Sequence, residues 1–592
     1  MQFQLRGDYE SPILRIMTEK NLPRRRFLAG SAAAAAGAAV AGNAATANAQ
    51  LSSSRALSSA RLPEMKPAKY SAFMHGVASG DPLPGSVIIW TRVTVSEDAV
   101  PGSHKGQDVD VEWQVATDPK FQRIVREGVA RASAASDHTV KVDAKDLEPG
   151  KVYYYRFIWD GKTSPVGKTR TAPEATARLD EYKLAVASCA NWECGYFGSY
   201  RGMAREAEAG NIDVVVFLGD YIYEYPTGEY AGKSGVSRPH VPLHEITTLK
   251  DYRERYGRYR TDKNLQAAHA AAPWVVVWDD HESANDSWRE GAENHTENVE
   301  GKWVQRVSDA EQAYLEWLPV RATRPSAAGK IYRSFRFGDL INLTMMDLRS
   351  YRDEQHSALS RENGAAGRTM LGSEQFQWVT EQVNQKETAW NVLGNSVMIS
   401  PMEIGHLPQT TKDNRLANQV LDDFTQSTGI VANSDQWDGY RAERAKLLDV
   451  LSQTTPHTLV LTGDIHSEWA HSLQHKGNEI GCEMVCSSIS APNVDEIVTT
   501  YTKTYTPEDN RITHLVEGVM YSSNPWVNHV DFDSHGFGIA TVSRNQVQMD
   551  FYRVSDVEDP GASVRRAISR TWVAGQGFQE PRSGQSAAPA GQ

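Results

Sequence analysis

Five short apolar runs in this chain are each followed at once by a residue able to donate an electron pair or a proton. Residues 183–188 lead to Cys189, 213–218 to Gly219-Asp220, and 274–278 to Asp279-Asp280-His281-Glu282. Residues 343–346 lead to Asp347, and 458–462 to Gly463-Asp464-Ile465-His466. A single aspartate in such a place is more often a helix cap or a turn former. Were the runs parallel strands of an α/β sheet, their carboxyl ends would share one crevice, and residues hundreds of positions apart would meet there. Carboxylates and imidazoles so gathered repel one another or stay badly desolvated unless a cation compensates them. The chemistry this pattern supports is therefore metal binding and metal-assisted hydrolysis.

Each candidate carries a second reading. Asp464 and His466, two apart, reach the same side only from an irregular turn, which Gly463 permits. Gly219 gives Asp220 and Tyr223 the same freedom, although Tyr223 could equally be a core hydroxyl. Cys189 is a thiolate ligand, a small buried residue, or one half of a bridge to Cys194. Asp280 reads as a ligand, while Asp279 could merely cap the turn that follows. Asn285 is a surface amide or a further ligand, and His281 reads as a contact to the transition state or leaving group. Arg349 and Arg352 are solvated cations or, lying just past a strand end, contacts for phosphate.

The elements that must position these residues are legible in outline. Between residues 71 and 173 short strand patterns alternate with turn signals, as in Val87-Ile88-Ile89-Trp90 and Thr139-Val140-Lys141-Val142. Leu147-Glu148-Pro149-Gly150 leads into Val152-Tyr153-Tyr154-Tyr155-Arg156-Phe157, whose aromatic rings can brace a corner. This all-β module resembles a fibronectin type III sandwich and serves as a scaffold. Beyond Glu174, apolar runs separated by longer polar stretches indicate parallel strands buried on both faces by helices, an α/β arrangement. A helix precedes the last of these strands, because Trp437, Tyr440, Leu447, Leu448 and Leu451 recur at helical spacing. Residues 225–270, 285–330 and 405–435 are insertions long enough to cover a cleft, and the Gly-, Ser-, Gln-, Ala- and Pro-rich stretch 575–592 reads as a disordered tail.

The segments Ser188-Cys189, Gly219-Asp220-Tyr221-Ile222-Tyr223-Glu224, Asp279-Asp280-His281-Glu282 and Gly463-Asp464-Ile465-His466 together resemble the alkaline phosphatase D family of calcineurin-like phosphoesterases. Gly76-Val77-Ala78-Ser79-Gly80-Asp81-Pro82, Asp347-Leu348-Arg349-Ser350-Tyr351-Arg352 and Asn524-Pro525-Trp526 extend the similarity, which runs from about residue 73 to residue 554. The resemblance implies a metallophosphoesterase β-sandwich core flanked by helices over residues 180–556. It also implies a ferric ion held by Cys189, Asp220, Tyr223 and His466 with Ca²⁺ nearby, Asp220 bridging metals, Asp280 standing where related phosphoesterases have an asparagine and Asp464 where they have a histidine. Thiolate and phenolate suit ferric iron, and carboxylates suit hard calcium. Asp220, His281, Arg349 and Arg352 are then the catalytic set, acting on phosphomonoesters and phosphodiesters. One departure from the wider superfamily is the missing histidine near Gly394-Asn395-Ser396, where the Asn395 carbonyl could fill the gap. Rival readings are a phospholipase D-type phosphodiesterase on the same site and a secreted binding protein with a degenerate one.

Residues 1–49 stand apart from any fold. Arg24-Arg25-Arg26-Phe27-Leu28, an Ala/Gly/Val run over 29–42 and Ala47-Asn48-Ala49 resemble a twin-arginine export leader cleaved before Gln50. That route moves folded proteins, so a metal can be loaded before export to a periplasmic or extracellular location. The apolar run is too short and too weakly apolar for a membrane span of about 20 residues. The leader holds six basic and three acidic side chains, so its removal takes the net charge from −12 to −15 and excludes a nucleic-acid-binding surface. The expected partners are the phosphate-ester substrate and the twin-arginine machinery, with the chain acting as a monomer. Four cysteines in 592 residues are too few for a disulfide scaffold, and Cys482 and Cys486 read as buried structural residues or a bridge.

Overall fold

The computed structural model describes residues 71–358, 360–403, 433–454, 457–497 and 511–582. The leader at 1–49 and nearly all of the 405–435 insertion lie outside the described residues.

The first strands are β1 (Val77–Leu83), β2 (Ser86–Arg92), β3 (Val109–Ala116), β4 (Ile124–Ala132), β5 (Thr139–Ala144), β6 (Val152–Trp159), β7 (Lys162–Thr163) and β8 (Gly167–Arg170). Their only helical element is a single 3-10 turn at Ala134–Ser136, and every regular pairing among them is antiparallel. β1, β2 and β5 face β3, β4 and β6 across a core that includes Val87, Ile89, Val115, Tyr155 and Phe157. Along β6, Tyr153, Tyr155 and Phe157 are buried while their neighbours are partly exposed, the period of two that places alternate side chains on one face. The Tyr153 hydroxyl accepts the Glu148 amide at 2.9 Å and braces the corner.

The module is not hydrogen-bonded to itself alone. β1 pairs in parallel with the strand at Trp274–Val277, Gly80 opposite Trp274, so half of the N-terminal sandwich continues into the main sheet. That sheet also holds β9 (Glu181–Ala187), β10 (Val214–Leu218) and β11 (Trp274–Val277), all parallel, with β19 (Gly536–Ser543), β20 (Gln546–Val554), β21 (Val564–Val573) and β22 (Gly577–Phe578) completing its far edge.

A second sheet of seven strands comprises β12 (Arg333–Phe337), β13 (Ile341–Met345), β14 (Trp390–Asn395), β15 (His457–Thr462), β16 (Glu468–His475), β17 (Asn478–Val485) and β18 (Val527–Asp531). β13, β14, β15 and β17 run parallel to their neighbours in that series. β10, β11 and β13 are buried at every residue, which is why they read as unbroken apolar runs.

The two sheets pack face to face. Leu218 of β10 lies against Gly394 of β14 and Gly463 after β15, so the ends of strands from both sheets meet at one rim. Helices Gly198–Glu208 and Lys263–Ala271 cover the outer face of the first sheet, where Tyr200 and Phe217 both meet the Trp274 ring. Helices Gly372–Val383 and Arg441–Leu451 cover the second, burying Val379, Val383, Leu447, Leu448 and Leu451. The expected disordered tail does not begin at Gly575. Trp572 and Val573 pair with Phe578 and Gly577, and the Arg582 guanidinium donates to the carbonyls of Val527 and Tyr521.

Candidate functional site

The turns that leave the strand ends determine where the reactive atoms point. Cys189, Asp220, Asp464 and His466 all have positive φ, at 61°, 56°, 67° and 54°. Non-glycine residues avoid this region at a cost of order 1–3 kcal/mol each, and such strain is kept where surrounding structure over-determines it. Cys189 donates its backbone amide to Gly219 O at 3.1 Å and accepts the amides of Ser490 and Ala491. Gly219 (φ 98°) is needed twice over, since a Cβ there would lie 2.4 Å from Cβ of Asp279. Gly463 has a different role from the one expected. The left-handed residues of its turn are Asp464 and His466, while Gly463 gives clearance to Ser188, whose Oγ would stand 2.6 Å from an added Cβ.

Buried Glu282 ties two of these turns together. Its carboxylate accepts the backbone amides of Asp220 (3.0 Å), Tyr221 (2.6 Å) and Asp279 (2.8 Å). The end of β10 is thereby fixed against the end of β11 before any side chain of the cluster is placed.

The side chains then converge. Ligand atoms of Cys189, Asp220 and His466 lie within 4.8 Å of one another, as do those of Asp220, Asp279, Asp280 and Asp464, of Asp220, Asp280 and His281, and of Asp280, Asp286 and Asp435. Asp220 and Asp280 each belong to three of these four groups, but only Asp220 joins the thiol and imidazole group to the carboxylates, the place a bridging carboxylate would take. The Tyr223 hydroxyl donates to Asp220 Oδ2 at 3.0 Å and lies 3.1 Å from His466 Nε2. His466 Nδ1 lies 2.8 Å from the Pro492 carbonyl; an N–H there leaves the Nε2 lone pair facing the cluster.

Burial pushes the Cys189 thiol, the Asp220 carboxyl and the Tyr223 phenol well above their ordinary pKa values; neighbouring carboxylates add to it at all three, and His281 opposes it at Asp220. Without a cation the charged forms are disfavoured at all three. Asp220 Oδ1 is buried with no hydrogen-bond partner among the described residues. A thiol, a phenol, an imidazole and clustered carboxylates around that oxygen form a donor set that fits metal ions.

Other expectations are revised by the geometry. Asp347 ends its strand as a turn former, accepting the amides of Arg349 (3.1 Å) and Ser350 (3.0 Å) and the Trp278 indole N–H (3.2 Å). Asn395 spends its carbonyl on the Trp437 indole at 3.0 Å and its amide on Thr462 and Val397, so it fills no gap. Its neighbour Ser396 reaches the cluster instead, donating to Asp279 Oδ1 at 2.8 Å.

Arg349 and Arg352 are buried rather than solvated. Arg349 grips Asp279 at 2.6 and 2.9 Å and Asp435 at 2.8 and 3.0 Å. Arg352 is held by the Ser287 and Asp435 carbonyls and by Asp435 Oδ1 at 2.7 Å. Both guanidinium groups therefore act as counter-charges within the carboxylate cluster. Asn285 is buried too, with Nδ2 donated to Glu293 at 3.1 Å, which leaves its side-chain oxygen as the atom a cation could use.

His281 is held by Glu224, whose Oε2 lies 2.7 Å from Nδ1, and its ring centroid is 4.1 Å from that of Tyr223. Burial lowers its pKa, but Glu224, Asp280 and Asp220 outweigh burial and hold it well above the ordinary histidine value. Glu224, Asp286, Asp435 and Ser396 went unassigned in the sequence. Glu224 was in view within the 219–224 segment, whereas Asp435 sits at the end of a long polar insertion with no strand before it. All four cysteines are free thiols, which excludes both bridges considered above. Cys194 donates to the Tyr230 carbonyl at 3.0 Å, and Cys486 Sγ lies 3.6 Å from Ser188 Oγ.

Two facing sheets with a rim of clustered carboxylate, thiol, phenol and imidazole define a two-sheet α/β protein with a metal-binding type of site. The sequence pattern described as PhoD-like phosphatase matches residues 184–551, and that of the PhoD-like phosphatase N-terminal domain matches 57–173. Alkaline phosphatase D of Bacillus subtilis (strain 168) is 36% identical over 507 residues, covering 84% of this chain and 80% of that protein. A solved structure of PhoD superposes with a TM-score of 0.73 at 33% identity, covering 87% of this chain and 93% of that one. The chain belongs to the PhoD-like phosphatase family and is a phosphatase, a hydrolase of phosphate esters. No helix among the described residues is long and apolar enough to cross a membrane.

Proposed function

We propose that this chain is an exported, metal-dependent phosphoesterase that hydrolyses phosphomonoesters and phosphodiesters at the Asp220-centred cluster. The observation that carries the reading is the sharing of Asp220 by three groups of buried ligands. Cys189, Asp220, Tyr223 and His466 would hold a ferric ion, and Asp220, Asp280, Asn285 and Asp464 would hold calcium. When bound, such ions supply an activated nucleophile at moderate pH, neutralise the phosphoryl oxygens and stabilise the departing oxygen.

The chain's own residues do the rest. Glu282 holds the Asp220 and Asp279 turns in register through three backbone amides. Arg349 offsets the charge of Asp279 and Asp435 and keeps Asp279 in place. His281 Nε2, the nitrogen not engaged by Glu224, contacts the leaving oxygen. Phosphate reaches Arg349 or Arg352 only by competing with Asp435. The twin-arginine pattern at residues 24–28 supports export of the folded, loaded enzyme.

The test is metal analysis of protein exported through its native route, together with a panel of nitrophenyl monoesters, bis-nitrophenyl phosphate and phosphatidylcholine. Iron and calcium in the purified protein with turnover of both ester classes is the expected result. Hydrolysis that survives complete removal of both metals would overturn it.

A further inference from the structure

Two fully buried side chains beside Cys189, those of Ser188 and Cys486, have no place among the proposed metal ligands. Ser188 Oγ lies 3.2 Å from Cys189 Sγ and 3.6 Å from Cys486 Sγ, and it makes no other hydrogen bond among the described residues. Successive residues of a strand point to opposite faces, so contact between the side chains of Ser188 and Cys189 needs the chain to turn. The left-handed φ of 61° at Cys189 supplies that turn.

The backbone on both sides holds the group in place. Ser188 bridges in parallel to Ser488, its carbonyl accepts the Ile489 amide at 3.0 Å, and Cys486 donates its own amide to Thr462 O at 3.0 Å. Gly463, reaching in from the other sheet, is the residue whose missing Cβ leaves the hydroxyl its room.

The hydrogens available fix the direction of both bonds. A cysteine that binds a metal does so as a thiolate and has no hydrogen to give. Burial pushes the Cys486 thiol up to about 12, so Cys486 keeps its hydrogen, and Ser188 Oγ is the acceptor within its reach. A serine hydroxyl has one hydrogen and two lone pairs. Cys486 S–H therefore donates to Ser188 Oγ, and Ser188 O–H is left to donate to Cys189 Sγ. No other donor among the described residues reaches that sulfur.

We propose that Ser188 is a positioning residue that tunes the metal-binding sulfur: aligned by Cys486, its hydroxyl donates to Cys189 and draws negative charge from the thiolate. The proposal rests on Cys189 holding iron. A thiolate bonded in this way passes less charge to its metal, which shifts the balance of ferric and ferrous iron toward ferrous and the sulfur-to-iron absorption to shorter wavelength. It also keeps a ferric ion electron-poor, the condition in which such an ion best polarises phosphoryl oxygens. Cys486 touches neither metal nor substrate; its part is to hold the Ser188 hydroxyl in line.

The experiment compares wild type, Ser188→Ala and Cys486→Ala, each loaded with iron and calcium in H2O or in D2O. Iron content, the visible absorption band, the iron–sulfur stretch by resonance Raman and the one-electron midpoint are measured in each. The wild-type iron–sulfur stretch should move in D2O, because the donated hydrogen is exchangeable. Ser188→Ala should abolish that movement, displace the sulfur-to-iron band to longer wavelength and favour the ferric state about tenfold, a midpoint lower by about 59 mV. Ring modes of the Tyr223 phenolate should stay where they are, which a general disturbance of the site would not allow. Cys486→Ala leaves Ser188 and every proposed ligand in place and should give the same changes at roughly threefold, since hydrogen bonds in a chain strengthen one another.

A deuterium effect and a midpoint that survive Ser188→Ala with iron retained overturn the role of Ser188. A wild-type spectrum with no iron–sulfur stretch overturns the underlying reading of Cys189. Should Ser188→Ala fail to take up iron, Cys486→Ala decides: a wild-type midpoint and band position in that variant overturn the proposal as well.

Discussion

The Tyr223 hydroxyl lies 3.1 Å from Nε2 of His466, a residue 243 positions further along the chain. Both also flank Asp220, so a phenol, an imidazole and a carboxylate from two different sheets share one small volume. Loss of either partner should be felt first in the metal. With the proposed ferric ion on Cys189, Asp220, Tyr223 and His466, Tyr223→Phe should retain the fold, bind iron more weakly and shift the visible charge-transfer absorption that thiolate and phenolate give ferric iron. Asp220→Ala and His466→Ala should lose turnover about 10³-fold or more, since they remove the proposed ligands of ions that stabilise the transition state. Circular dichroism, iron content and kinetics measured together check this, and full activity in either alanine variant would refute the assignment.

Glu282 gives a different signature, because it touches backbone rather than metal. Glu282→Ala leaves the buried amides of Asp220, Tyr221 and Asp279 unsatisfied. The expected destabilisation is about 2–4 kcal/mol, from an unpaired buried amide cost of about 1–3 kcal/mol each with partial relaxation. Metal affinity should fall with stability in denaturant titrations of the loaded and stripped protein.

Arg349 is 3% exposed and is the cation that Asp279 and Asp435 share. Arg349→Met should therefore cost about 3–5 kcal/mol, the range for breaking a buried ion pair from one side. Arg349→Lys should recover only part of it, since a single ammonium cannot span the two bidentate contacts. Thermal unfolding of the three proteins decides the matter, and a methionine variant as stable as wild type would show the charge to be dispensable.

Glu311, which belongs to none of the candidate ligand groups, makes stability depend on pH. Burial raises its pKa to about 7, with Asp347 adding and Arg324 and the hydrogen bonds from Ser326 opposing. The folded state then holds a proton that the unfolded chain has released between about pH 4.5 and 7. The contribution is fully present below the unfolded pKa and is lost as pH rises through the folded one, up to about 3 kcal/mol over that interval. Glu311→Gln should flatten this part of the stability profile measured by urea unfolding at pH 4.5 to 8. A slope unchanged in the variant would place the titration elsewhere.

Much of this could be read from residue order alone. The runs before Cys189, Asp220, Asp279, Asp347 and Asp464 are strands, since uninterrupted apolar sequence of that length is what burial on both faces demands. The donor types, a thiol, a phenol, an imidazole and several carboxylates after strand ends, by themselves indicate a cationic partner. What the residues could not say is which way each side chain leaves its strand. That direction depends on one or two backbone angles past the last ladder hydrogen bond, as at Cys189, Asp220, Asp464 and His466, and on clearance from the opposite sheet at Gly219 and Gly463. Hence Asp347 turns back to cap its own loop, and Ser396 rather than Asn395 hydrogen-bonds to the carboxylate cluster. The pairing of Arg349 and Arg352 with Asp435, and of His281 with Glu224, likewise came only with the tertiary structure, because a buried charge is matched by whatever group folding brings within reach.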